Sequence, residues 1–287
     1  MVEPNSLGSS EFRGTQRQQW DSAATGWRKW SELIDRSASG ISERLIELAG
    51  VEPGDRVLDV AAGYGEPSLT AASRVGREGS VTATDISPEM IAFGRERAAA
   101  AGFDNIEFVE SDAAALDFPE GSFDAALSRW GIIFEPDGET AVARVRGFLK
   151  SGARIAISSW GPPDRVPFLA IPMRTAMERL DVAPPPPGTP GPLSRPTPEA
   201  LGGLLEGGGF SHVEVEKADV SFEWDSPEAF TTFIKDIAPP ITSMIDPHPQ
   251  EVQDETWAAV TEAAREAAAD DGAVRLSNLA LMATGQA

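Results

Sequence analysis

The sequence predicts an α/β fold, a mainly parallel and doubly wound sheet covered by helices on both faces. Three observations carry this. Five short apolar segments, residues 56–60, 81–85, 106–109, 123–128 and 154–158, alternate with helix-length segments. A Gly-containing turn, Ala61-Ala62-Gly63-Tyr64-Gly65, follows the first of them. Chemistry-bearing residues sit where the strands end: Asp59, Asp85, Asp112 just past the third strand, and Ser128, Arg129 and Trp130 after the fourth.

The elements follow in order. Residues 1–15 are mostly polar and aperiodic, and are expected to form a disordered tail. Trp20, Trp27, Trp30 and Ile34 share one helical face, and Ile41, Leu45 and Leu48 make a second. Residues 16–50 are therefore expected to hold N-terminal helices, ended by Gly50 and the turn Pro53-Gly54-Asp55. Ser87 with Pro88 opens the helix after the second strand, and Gly102 stops it. A helix over 138–149 precedes the fifth strand. These residues, 51–162, are expected to be the core. Residues 163–200 read as a cap helix and a Pro-rich loop over 184–198, residues 201–224 as a helix and a strand at 213–216, residues 225–272 as a cap insertion, and residues 273–287 as a closing strand.

Composition narrows the function. With 45 acidic against 24 basic residues the chain carries a formal charge of −21 and no dense basic cluster, so nucleic acid is not an expected partner. The acidic excess reads as a solubilising surface, or as adaptation to high salt. There is no cysteine, which excludes disulfides, thiolate zinc sites and a thiol nucleophile. No apolar run approaches the roughly 18 residues of a membrane span, and no leader pattern opens the chain, so no membrane partner and a cytoplasmic location are expected. No spacing of His or carboxylates suggests a metal site.

Open parallel sheets bind ligands beyond the carboxyl ends of their strands. A dinucleotide fingerprint would place a third Gly at Ser68, and Asp59 two residues before the turn opposes a pyrophosphate. The same Asp59 suits a ligand bearing an ammonium and a sulfonium. Asp85 can accept from ribose hydroxyls, Asp112 from an adenine amine, and Ile86 and Met90 can wall the ring. Each aspartate has a plainer alternative, capping a turn or a helix.

Val57-Leu58-Asp59-Val60-Ala61-Ala62-Gly63-Tyr64-Gly65-Glu66-Pro67 resembles the first motif of class I S-adenosylmethionine-dependent methyltransferases. Residues 81–90, Phe108-Val109-Glu110-Ser111-Asp112-Ala113 and Leu149-Lys150-Ser151-Gly152 resemble their later motifs, nearest to the ubiquinone/menaquinone-biosynthesis type. The resemblance implies a Rossmann-like sheet of seven strands, the last antiparallel, with S-adenosylmethionine as cofactor and S-adenosylhomocysteine as product. It implies that Asp59, Ala61, Gly63 and Gly65 line the methionine end, that Asp85 and Ile86 hold ribose and adenine, that Asp112 and Ala113 meet the adenine edge, and that Ser128 lies beneath the sulfonium. Ala61 departs from the family's usual Gly.

The acceptor is less legible. The expectation is a small, apolar or aromatic metabolite, with Trp20 and Trp27 as a lid and Tyr64, Arg129 and Trp130 facing the substrate. Arg129 can hold a carboxylate or simply an internal salt bridge. His248, in the cap, is the one candidate base. Phe168, Met173, Met177, Trp224, Phe230, Phe233 and Met244 are candidates for an apolar enclosure. A catalytically silent binding module and a nicotinamide-dependent oxidoreductase are the alternatives. Oligomeric state is not readable.

Overall fold

The computed structural model describes residues 9–186 and 188–287. Helix α1 (Ser9–Leu48) leads into β1 (Arg56–Val60), α2 (Ser68–Val75), β2 (Ser80–Asp85), α3 (Pro88–Ala101), β3 (Ile106–Glu110), β4 (Phe123–Arg129), α4 (Gly138–Phe148) and β5 (Leu149–Trp160). Then come α5 (Pro167–Leu180), α6 (Pro198–Gly207), β6 (Ser211–Trp224), α7 (Pro227–Ile237), α8 (Pro239–Ile245), α9 (Gln250–Glu266) and β7 (Val274–Gln286). The seven strands form one sheet in the order β3-β2-β1-β4-β5-β7-β6. Strands β1 to β5 pair in parallel, whereas β7 runs antiparallel to both β5 and β6.

Strand alternation explains the two main apolar cores. Val57, Ala125, Leu127 and Ala156 face α1, α2 and α3, while Leu58, Ala126, Ile155 and Ile157 face α4 and α6. Both faces are covered, so the strands read as continuous apolar runs.

Four expectations change. Residues 1–8 of the expected tail lie outside the described residues, as does Pro187 of the Pro-rich loop, but residues 9–15 are the opening turns of α1. The N-terminal segment is one 40-residue helix rather than several. Its length of about 60 Å, at 1.5 Å per residue, crosses the domain. The strand expected at 213–216 extends over 14 residues, because Val220, Phe222 and Trp224 continue the inward face across a charged stretch. Fourth, the cap aromatics are buried in the same core as Val57 and Leu127 of the sheet. Phe230 and Phe233 are fully buried, and Trp224 meets Phe230 edge-on at 4.9 Å while Phe168 lies 5.2 Å from Phe222. Helix α8, absent from the sequence reading, sits within this cap. Among the described residues no helix is long and apolar enough to cross a membrane.

The cap grips α1 at a close backbone approach. A Cβ on Gly26 would lie 2.0 Å from the carbonyl oxygen of Asp236 in α7. Around this point Trp27 Nε1 donates to Ile237 O at 3.2 Å, and Trp30 Nε1 and Lys29 Nζ both reach Asp236 Oδ2, at 2.8 and 2.7 Å. Gly26→Ala is therefore expected to destabilise the fold by about 1–3 kcal/mol despite the better helix propensity of Ala. Gly14→Ala, in the same helix with open space around it, is expected to be neutral or stabilising by up to about 1 kcal/mol. Thermal melts of both variants check the pair; equal effects would contradict the close contact.

Candidate functional site

Strand order reverses between β1 and β4, the switch point where such sheets open a crevice. A cleft lies there. Its walls include Ala61, Ala62, Gly63, Tyr64 and Glu66 after β1, Asp85, Ile86 and Met90 after β2, and Ser111 and Ala113 after β3. Arg129, Trp130, Gly131, Phe134 and Glu135 follow β4, and Gln16, Trp20 and Trp27 of α1 lie across the opening.

The turn after β1 is held by the tip of β2. Asp85 is 7% exposed, and each of its oxygens accepts a backbone N–H: Oδ2 from Gly63 at 2.7 Å, Oδ1 from Ser87 at 2.8 Å. Ala62 N also donates to Thr84 O at 2.8 Å. Burial pushes the Asp85 carboxyl up to about 6, with these N–H groups pulling the other way. Ala61 adopts a left-handed φ of 56° without being Gly. Its methyl is accommodated because residue 131 is Gly; a Cβ there would sit 2.5 Å from that of Ala61. The departure from Gly at 61 is thus matched across the cleft. Trp130 is likewise left-handed at 55°, stacked on Trp160 at 4.3 Å, with its buried Nε1 lacking a partner. Strained backbone of this kind persists only where its surroundings enforce it.

Of the sequence-predicted residues, Ala61, Gly63, Tyr64, Asp85, Ile86, Met90, Ala113, Arg129, Trp130, Trp20 and Trp27 meet at the cleft. Five others do not line it. Asp59 is fully buried beneath the turn, accepting from Ser68 Oγ at 2.5 Å, so it fastens α2 to β1. Its Oδ1 has no partner, and burial pushes the carboxyl up to about 7. Gly65 packs against Leu69 behind the turn. Ser128 Oγ donates to Val60 O at 2.8 Å and accepts from Ile132 N at 2.9 Å, tying two loops together. Asp112 caps the short helical turn Ala113–Ala115 and pairs with Arg13 of α1 at 2.8 Å. His248 lies in the connection between α8 and α9 and is not among the residues that line the cleft.

Sequence reasoning missed Gln16, Glu66, Ser111, Gly131, Phe134 and Glu135. Only Glu135 carried a signal, as an acidic residue shortly after a strand end. Burial, with Asp112 beside it, pushes its carboxyl up to about 7. Helix α1 is tied across the cleft mouth by Gln16 Nε2 to Phe134 O at 3.0 Å, by Ser87 Oγ to Asp21 at 2.6 Å, and by Arg17 to Glu110 at 2.6 Å. Among mostly apolar and aromatic walls, the charged side chains that line the cleft are the carboxylates Glu66, Asp85 and Glu135 and the cation Arg129. That donor set fits a ligand with positive groups and hydroxyls and opposes a pyrophosphate.

Residues 57–152 match the model of a family described as a methyltransferase domain. Over 138 residues the chain is 36% identical to the ubiquinone/menaquinone biosynthesis C-methyltransferase UbiE of Teredinibacter turnerae, covering 46% of this chain and 55% of that protein. Over 119 residues it is 38% identical to the aklanonic acid methyltransferase DauC of a Streptomyces species, covering 42% of this chain and 54% of the other. The chain therefore spans about half the length of the curated relatives it matches. The YcgJ protein of Bacillus subtilis shares the fold, with a TM-score of 0.55 at 18% identity over 85% of this chain and 97% of that one. The matched segment is similar to methyltransferase domains, and the seven-stranded sheet shares the fold of that solved structure.

The buried carboxyls set a pH dependence. Asp59 and Asp85 are held at about 7 and about 6, above the usual value of about 4. The folded chain favours their neutral forms, so this contribution to stability is complete below about pH 4 and is lost as pH rises through about 6 to 7. Asp59→Asn keeps an acceptor for Ser68 and removes the titration. Its stability relative to the parent is expected to rise between about pH 5 and pH 8, on the order of a few kcal/mol. Urea unfolding at several pH values checks this; a difference independent of pH would contradict it.

Proposed function

We propose that this chain, built around a class I methyltransferase domain, transfers a methyl group from S-adenosylmethionine to a small-molecule acceptor in the cleft between the β1 and β4 ends. The observation that carries the reading is Asp85. It sits at the tip of β2, locks the Gly63 turn with one oxygen and the start of α3 with the other, and keeps lone pairs toward the cleft. That is the placement a pair of ribose hydroxyls requires. Ile86, Met90, Ala113 and Phe134 supply apolar walls for the adenine. The turn from Ala61 to Gly63 faces the amino-acid end. Asp59, one layer below, fastens the start of α2 beneath that turn through Ser68 and does not line the cleft. Ser128 acts on the same turn by holding Val60 and Ile132 in register.

Bound S-adenosylmethionine supplies a methyl group already activated on a sulfonium, so the protein's share is alignment and the exclusion of water. Helix α1 performs both. Trp20 packs edge-on against Phe134 at 5.2 Å, and Trp27 meets Tyr64 at 5.5 Å, so an indole roof closes the cleft. Together with Trp130 these rings favour a small apolar or aromatic acceptor. The names of the relatives, one in ubiquinone and menaquinone biosynthesis and one acting on aklanonic acid, support a small-molecule acceptor.

Calorimetric titration with S-adenosylhomocysteine tests the assignment. Micromolar or tighter binding is expected, weakened at least about 10-fold in Asp85→Ala, which removes charge-assisted acceptors. No binding by the parent protein would refute the reading. Methyl transfer to a panel of small aromatic acceptors separates an enzyme from a silent binding module.

A further inference from the structure

Arg129 ends β4 and is 7% exposed, yet no carboxylate lies within ion-pair distance of it among the described residues. Its guanidinium donates to two neutral oxygens, Nη1 to Ser42 Oγ at 2.9 Å and Nη2 to Tyr64 Oη at 3.1 Å. The rings of Tyr64 and Trp130 flank it, with centroids 5.9 and 5.4 Å away. Asp35, the nearest carboxylate through Tyr64, is already committed. It accepts the Tyr64 hydroxyl proton at 2.8 Å on one oxygen and pairs with Arg97 through the other. Asp59 and Glu66 act on Arg129 only at longer range.

Burying an unpaired guanidinium is costly, and proteins retain one where its partner arrives from outside. Scarcity of carboxylates is no explanation in a chain with 45 acidic and 24 basic residues. A guanidinium carries five N–H donors in a rigid fork, and the two neutral contacts leave others free. Arg129 also lines the cleft, beside Gly63, Tyr64 and Trp130.

We propose that Arg129 is the carboxylate receptor of the cleft, oriented by Ser42 of α1 and by Tyr64, and that the carboxylate belongs to a bound small molecule. The inference rests on the reading of the cleft as a cofactor and acceptor site. Two molecules can bring that carboxylate: the amino-acid end of the cofactor, or the methyl acceptor itself. In either case Tyr64 stays a neutral relay, since burial raises its hydroxyl well above its ordinary value and Asp35 holds its proton. Because Ser42 lies on α1, filling the Arg129 site also bears on how firmly that helix closes the cleft.

The test compares S-adenosylhomocysteine with 5′-methylthioadenosine, which lacks the amino-acid end, by calorimetry on the parent, Arg129→Gln and Arg129→Lys. A second arm measures 2-naphthoate against 2-naphthamide in the presence of S-adenosylhomocysteine. If the cofactor supplies the carboxylate, Arg129→Gln weakens S-adenosylhomocysteine about 10- to 100-fold and leaves 5′-methylthioadenosine unchanged. If the acceptor supplies it, S-adenosylhomocysteine is unaffected and the preference for naphthoate over naphthamide disappears. Arg129→Lys, which keeps the charge and loses the fork, falls between parent and Gln variant, and carries the test should Arg129→Gln fail to fold. The proposal is overturned if acid and neutral ligands lose affinity alike, or if neither pair discriminates. Failure of the parent to bind either nucleoside overturns the cofactor reading instead, while a surviving naphthoate preference that needs Arg129 would still assign the receptor.

Discussion

The carboxylate of Asp85 holds two loops that would otherwise be independent. One oxygen receives Gly63 N–H and the other Ser87 N–H, so the turn after β1 and the start of α3 share a single anchor. Everything around the cleft is built on that junction. The Ala61 methyl meets Gly131 after β4, Ser128 ties Val60 to Ile132, and Ser87 reaches Asp21 on α1. Together they join three strand ends and a helix from the start of the sequence. The cost is a desolvated carboxyl whose neutral form is favoured until pH passes about 6.

Helix α1 turns an open switch-point crevice into a covered site. It is pressed onto the cap at Gly26 and fastened over the strand ends by Gln16, Arg17 and Asp21. Its tryptophans then serve two masters. Trp27 roofs the cleft beside Tyr64 while its indole N–H is taken by Ile237 of the cap, and Trp30 stacks edge-on with Phe233. The cap therefore contributes to the site indirectly. Its own aromatics stay in the core, and what it positions is the helix that covers the ligand.

Sequence reading and structure part company at definable places. The parallel core, the Gly-rich turn and Asp85 were legible because each depends on a local pattern: short apolar runs alternating with helices, glycines in a tight turn, an acidic residue at a strand end. Asp59 carried the same pattern, but a strand-end carboxylate can face the ligand or the helix behind it, and Ser68 decides in favour of the helix. Asp112 was legible as an acidic residue near the cleft and not as the partner of Arg13, 99 positions away in the chain and beyond any local periodicity. Phe134 had no spacing signal, since it enters the cleft through a short helical turn after β4.

Local chemistry in the sequence thus determined the class of sheet and the position of the Gly-containing turn at the end of β1. Tertiary structure alone decided which carboxylates face the cleft, which hold the scaffold, and that Arg129 has no anionic partner among the described residues. The reason is physical. Strand and turn formation depend on neighbours within a few residues, whereas the state of a buried charge depends on every group packed around it. For Arg129 those groups come from α1, from the turn after β1 and from β4 itself, brought together only when the chain has folded.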